Sequence, residues 1–166
     1  MLGHCRSWQV SRLLACVAMM LAGLATCRAD SPNLAPAQRA ALEQASRFGM
    51  IHSVAALPRG VLDLCADEQH RLAEPGQPWA ATDLVRDAAL PRKRLIWAAS
   101  DGLRYVVHYE AGGRGHSFHV LLATLSPGES GAKEIWRAIG YPLRDYADFL
   151  DALHSHRLDD SPRVAH

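Results

Sequence analysis

Two short runs hold the densest polar chemistry of this 166-residue chain: His108-Tyr109-Glu110 and His116-Ser117-Phe118-His119. Imidazoles and a carboxylate so close together can do three things. They can bind zinc, whose nitrogen and oxygen ligands lie at about 2 Å. They can supply a general base oriented by an acid. They can also simply pair with one another at a hairpin end. Both runs read as strands, and a register that sets Glu110 opposite His116 brings the two side chains to about 5 Å at Cβ. His108 can join them. His116 and His119 differ by an odd number of positions, so a regular strand sends them to opposite faces, and a shared metal needs a bulge. Pairing at the hairpin end is therefore the leading reading, and no metal or cofactor is expected.

Between the runs lies Ala111-Gly112-Gly113-Arg114-Gly115. A phosphate loop needs a strand before it and a helix after it. Here both flanks read as strands, so this is a hairpin loop, with Arg114 at its tip as a contact for a partner's carboxylate. Other candidates carry less. Cys65 and His70 are five residues apart, with no cationic pocket evident to activate the thiol. Ser117, Ser126 and Ser130 lack the Gly-x-Ser-x-Gly setting of a nucleophile elbow. Pro91-Arg92-Lys93-Arg94 reads as a solvated basic approach to a strand. Trp79, Trp97, Trp136, Tyr105 and Tyr109 are core aromatics first and groove walls second. A binding surface, if there is one, comprises His108, Glu110, Arg114, His116 and His119.

The elements that must position these residues follow from pattern. Pro36 suits a first helical turn, and Ala41, Leu42, Ala45, Phe48 and Gly49 share a face, which predicts a helix over 36–51. Residues 57–72 are ambiguous, because Val61 to Cys65 fits a strand or a helical turn. Leu95 to Ala99, Leu103 to Glu110 and His116 to Leu125 predict an antiparallel meander. Asp101-Gly102 predicts a type I′ turn, and a further strand around Trp79 to Val85 can join the sheet. In the meander, Tyr105, Val107 and Tyr109 form the core face, and Arg104, Val106, His108 and Glu110 the wetter or partly covered one. A short helix over 132–138 and a second over 142–154, with Leu143, Tyr146, Phe149, Leu150 and Leu153 as its apolar stripe, complete the chain. Strands grouped between helices argue for an α+β fold with helices on one sheet face.

The first 29 residues read as an export address. A basic start containing Arg6 and Arg12 precedes an apolar run from Leu13 to Thr26, and Cys27-Arg28-Ala29 supplies a small-residue exit. The run is short of the roughly 20 residues that span a bilayer. Removing 29 of the 166 residues leaves 137, enough for one domain. The domain is expected over 36–156, after a tether over 30–35 and before a disordered tail over 157–166. The leader holds three arginines and no acid, so 15 basic and 17 acidic residues remain and the formal charge passes from +1 to −2. Such a domain offers no electrostatic footprint for nucleic acid. Of the four cysteines only Cys65 stays, and no internal disulfide is possible. It is either a buried apolar residue or an exposed thiol, and Val61, Leu62 and Leu64 favour burial.

Leu24-Ala25-Thr26-Cys27 also approaches a lipoprotein box, in which Cys27 would carry a lipid anchor. A membrane partner is expected only in that case or with an uncleaved leader. Few lysines and many arginines and alanines fit a GC-rich bacterial genome and a periplasmic or secreted destination. The reading that results is a small exported binding protein, of inhibitor or immunity type, for an unknown protein or envelope component. Whether it is an enzyme is left open, with the residues leaning against it. The alternatives are a hydrolase or metal-dependent enzyme built on His108, Glu110 and His116, and a structural envelope lipoprotein. Sequencing the exported protein from its N-terminus should give Asp30 first. A chain beginning at a fatty-acylated Cys27, its label lost in Cys27→Ser, would show the lipoprotein instead.

Overall fold

The computed structural model describes residues 34–83, 87–128 and 131–161. The expected leader, Cys27 and most of the expected tether lie outside them. The described chain is α+β. Its elements are α1 (Pro36–Leu42), β1 (Gly49–Ile51), α2 (Arg59–Cys65), β2 (Lys93–Ser100), β3 (Arg104–Ala111), β4 (Ser117–Thr124), β5 (Lys133–Gly140) and α3 (Tyr146–His154). The five strands form one antiparallel sheet in chain order.

The three expected helices need correction. The helix expected over 36–51 stops at Leu42, and Gly49, Met50 and Ile51 pair with Ser100, Ala99 and Ala98 instead. Phe48, buried at this switch, stacks on Tyr146 with ring centroids 4.8 Å apart. Ladder bonds to the open edge of β2 and burial of one phenyl ring outweigh helix propensity, a weak prior in any case. The short helix expected over 132–138 is strand β5, because the outer edge of β4 needs partners for its backbone groups. The extra residue, Ile135, is taken up at a bulge where Leu122 pairs with Trp136 and Ala123 with Glu134. The helix expected from 142 begins at Tyr146, where the carboxylate of Asp145 accepts from the Asp148 backbone N–H at 2.9 Å.

Helices cover both sheet faces rather than one. On one face α1 and α3 pack Leu42, Tyr146, Phe149, Ala152 and Leu153 onto Trp97, Val106, Val120, Leu122 and Trp136. On the other, α2 packs Val61 and Cys65 onto Leu95, Val107, Tyr109 and Leu121. Val106, His108 and Glu110, expected on the wetter side, are therefore as buried as Val107 and Tyr109. The ambiguous stretch is helical at α2, and its end is fastened by cations. Lys93 Nζ donates to Ala66 O at 2.8 Å, and an Arg137 guanidinium nitrogen donates to Leu64 O at 3.0 Å. Both serve carbonyls that the helix end leaves unpaired. Cys65 is buried, and burial pushes its thiol up to about 12.

The turns differ in detail from expectation. Only Gly102 takes a positive φ, +92°, while Asp101 Oδ1 accepts from Leu103 and Arg104 N–H, so the turn is not type I′. Around Trp79 the chain makes only a single parallel bridge, Thr82 to Gly113, with residues 84–86 outside the description. The ends are tied in as well. Leu34, within the expected tether, is buried in the core, and beyond His156 the chain pairs Asp159 with Ile139.

Gly112 sits where the 79–83 segment crosses the second turn. A Cβ there would lie 2.2 Å from Ala80 O, whereas nothing stands within 4 Å of one on Gly115. Gly112→Ala should therefore cost about 1–3 kcal/mol by overpacking. Gly115→Ala, three residues away, should be close to neutral. Thermal unfolding of the pair checks this, and equal midpoints would contradict the crossing.

Candidate binding site at the end of the sheet

Glu110 is the centre of the polar cluster. Its side chain is 5% exposed. One carboxylate oxygen accepts from Arg94 Nε, and the other is 2.7 Å from His116 Nε2. A carboxylate only accepts here, so Nε2 carries the hydrogen and the tautomer of neutral His116 is set. The register differs from expectation: Glu110 stands opposite Phe118, and Ser117 opposite Ala111. His116 belongs to the loop, which folds back far enough to bring it to Glu110.

Arg94 reaches the same face because of a bulge. Leu95 pairs with Tyr109 and Trp97 with His108, so Ile96 is the extra residue of β2. Of the basic run, Arg94 alone turns to Glu110, while Lys93 points through the opposite face to α2. The Arg94 guanidinium lies 5.2 Å from the Trp79 ring centroid, and Trp79 meets the His116 ring edge-on at 5.2 Å. Phe118 closes the other side of His116 at 4.7 Å. Beside them runs an open groove of about 270 Å³, lined by Pro75, Gly76, Arg94, Ile96, Glu110 and Phe118. Arg114 and Gly115 stand exposed at the loop tip.

His108 and His119 do not join this cluster. His108 is fully buried opposite Val120, between the rings of Trp97 and Phe118. Leu143 N–H donates to its Nε2 at 3.0 Å, so Nδ1 carries the hydrogen and donates to His119 O at 2.9 Å. Both ring nitrogens are used, and burial lowers the pKa. His108 is thus a satisfied core histidine. His119 lies on the α2 face, stacked on Tyr109 at 5.1 Å and 10°. Its Nε2 is 2.8 Å from Ser117 Oγ, and its Nδ1 is buried without a partner. Burial first, then the charges of Arg137 and Lys93, hold its pKa at about 4. A serine beside an imidazole invites a nucleophilic reading, but no acid orients the ring from Nδ1.

Among the described residues no group of three His, Cys, Asp or Glu side chains could hold a metal ion. The cluster sets a clamped cation, an imidazole and an indole beside the groove. The sequence reading held Trp79 as core first and groove wall second, read Arg94 only as part of a solvated basic run, and gave Phe118 no role. For Arg94 the available signal was a basic residue on a strand neighbouring a lone acid, yet the bulge that aims it is invisible in the alternation.

The depressed histidines give a sign for acid stability. His108 and His119 bind fewer protons folded than unfolded, so their contribution is present above the unfolded value near 6.5 and is lost as pH falls toward the folded value, about 4 for His119. Stability should decline from pH 6.5 to 4, and His119→Gln should flatten that decline; an unchanged slope by denaturant titration would exclude His119 as a source. No family model matches the chain, and neither a curated protein nor a solved structure matches it.

Proposed function

We propose that this chain is an exported protein of the periplasm or exterior that works by binding a partner in the cell envelope. Its contact surface is the sheet end around Arg94, Arg114 and His116. The observation that carries the reading is the construction of that end. Glu110 is sacrificed to burial, and both its oxygens hold side chains that still reach water: Arg94 is 28% and His116 42% exposed. Unsupported surface side chains lose rotamer freedom on contact, and a clamp removes much of that cost in advance. The loop behind them is fixed too, by the Gly112 crossing and the Thr82–Gly113 bridge. Rigid cations and aromatics at a protruding turn are the residue types that dominate protein contact surfaces. The leader reading supplies the compartment, and acylation at Cys27 would hold the same surface at a membrane.

The enzyme alternative draws no support from His108, which is sealed in the core and cannot act with Glu110 and His116. A photo-crosslinking residue placed at Arg114, in cells that produce the full chain, should give a discrete adduct. The same residue at Asp151, exposed on α3, should give none. Adducts of equal yield at both positions, or at neither, would remove the proposal.

A further inference from the structure

We infer that the cavity under the C-terminal tail, lined by Arg39 and Asp160, is a binding site for a free α-amino acid with an apolar side chain. This goes beyond the binding reading above, because none of the residues lining this cavity lines the groove at Arg94.

The cavity is made by the way the chain leaves α3. His156 follows the helix at φ +52°, and Arg157 N–H returns to Ala152 O at 3.0 Å. Glycine or asparagine usually takes that left-handed position. The turn sends residues 157–161 back along the outer edge of β5. There Ile139 and Asp159 exchange both backbone hydrogen bonds at 2.8 Å. Leu158 lies over Gly140, where a Cβ would be 2.7 Å from Leu158 Cδ2. Trp136 donates its indole hydrogen to Asp160 Oδ2 at 3.0 Å. Between the tail, α1, α3 and β5 a space of about 200 Å³ remains, lined by Arg39, Trp136, Leu153, His156, Leu158 and Asp160. A closed apolar cavity of about 150 Å³ takes benzene, so this space suits a ligand somewhat larger than one such ring.

The ligand chemistry comes from the walls. Trp136 and Leu153 belong to the core and Leu158 packs against it, so part of the lining is apolar. The polar part carries opposite charges, Arg39 and Asp160. A ligand with a single charge meets one of them as a like charge, whereas a zwitterion has an opposite charge for each. Arg39 is held by one bond, from a terminal nitrogen to Leu153 O at 3.1 Å. A guanidinium has five N–H donors, and Nε and the second terminal nitrogen of Arg39 take no partner among the described residues. Together they form the fork that receives a carboxylate. Asp160 holds the indole hydrogen, and a carboxylate has about four lone-pair sites, so it can accept from an ammonium as well. A carboxylate and an ammonium on one carbon that also carries an apolar branch are the parts of a free amino acid. The bonds to Leu153 O and from Trp136 hold both charges before the ligand arrives, which lowers the cost of ordering them.

The full chain can be titrated calorimetrically with leucine, N-acetyl-leucine and leucinamide, with the Trp136 indole N–H resonance as the signal of the site itself. Leucine should bind and move that resonance. N-acetyl-leucine lacks the ammonium and leucinamide the carboxylate, and each should bind about tenfold more weakly, the size of one charged hydrogen bond. Arg39→Met should remove the discrimination against leucinamide, and Asp160→Asn that against N-acetyl-leucine, each leaving the other in place. Asparagine keeps an oxygen for the indole, so Asp160→Asn should retain the parent's far-ultraviolet spectrum. Should either variant fail to fold, the three ligands compared on the parent chain still decide. Leucylleucine, whose two charges stand farther apart, should bind more weakly than leucine. The inference is overturned if leucine, valine and phenylalanine all leave the Trp136 resonance in place. Equal affinity for leucine and either derivative, or tighter binding of leucylleucine, overturns it as well.

Discussion

Burial of the sheet on both faces is the constraint from which the rest follows. A meander solvated on one side can leave polar side chains pointing to water. This one has α1 and α3 over one face and α2 over the other, so every polar group on β3 needs a partner inside the protein. His108 meets that demand with backbone from two directions, its own neighbour strand and the loop before α3. In doing so it fastens the approach to α3 against the sheet. Trp97 repeats the bond from β2, its indole N–H donating to Leu143 O at 2.9 Å. One loop residue thus satisfies two core side chains, and α3 is placed by hydrogen bonds as well as by Phe149.

The same constraint shapes the sheet end that holds Glu110. Glu110 is buried, and a carboxylate without partners at that depth would be costly. Arg94 and His116 remove the cost. Because they enter from the groove side, the compensation also arranges two exposed nitrogen-bearing side chains. Structural necessity and presentation of a surface are one arrangement here. On the opposite face the equivalent demand is met by Lys93 and Arg137, which serve the carbonyls of α2 and crowd around Tyr109. Those cations are absorbed by the fold, and their depressing effect on His119 follows from it.

Much of the architecture was legible in the chain. The three central strands, the loop at Gly112 to Gly115, the apolar stripe of α3 and burial of Cys65 all follow from periodicity and turn chemistry. β5 was not legible, since Lys133-Glu134-Ile135-Trp136-Arg137 lacks clean alternation, and a bulge explains why. β1 was hidden for a related reason: three residues carry no period, and they are strand only because β2 offers an edge. At the site, Glu110 with His116 was readable as a pair, though through the wrong register. Arg94 was not, because a single extra residue at Ile96 reverses which face it serves.

Composition and periodicity by themselves determine the α+β class, the polar hairpin and the buried Cys65 thiol. These depend on local spacing and on which side chains avoid water. Only the tertiary structure decided that both faces are covered, that His108 is core, and that Arg94 rather than His108 completes the cluster with Glu110 and His116. Those outcomes depend on bulges and on which backbone edges happen to meet, and such long-range pairings leave no mark in the spacing of neighbouring residues.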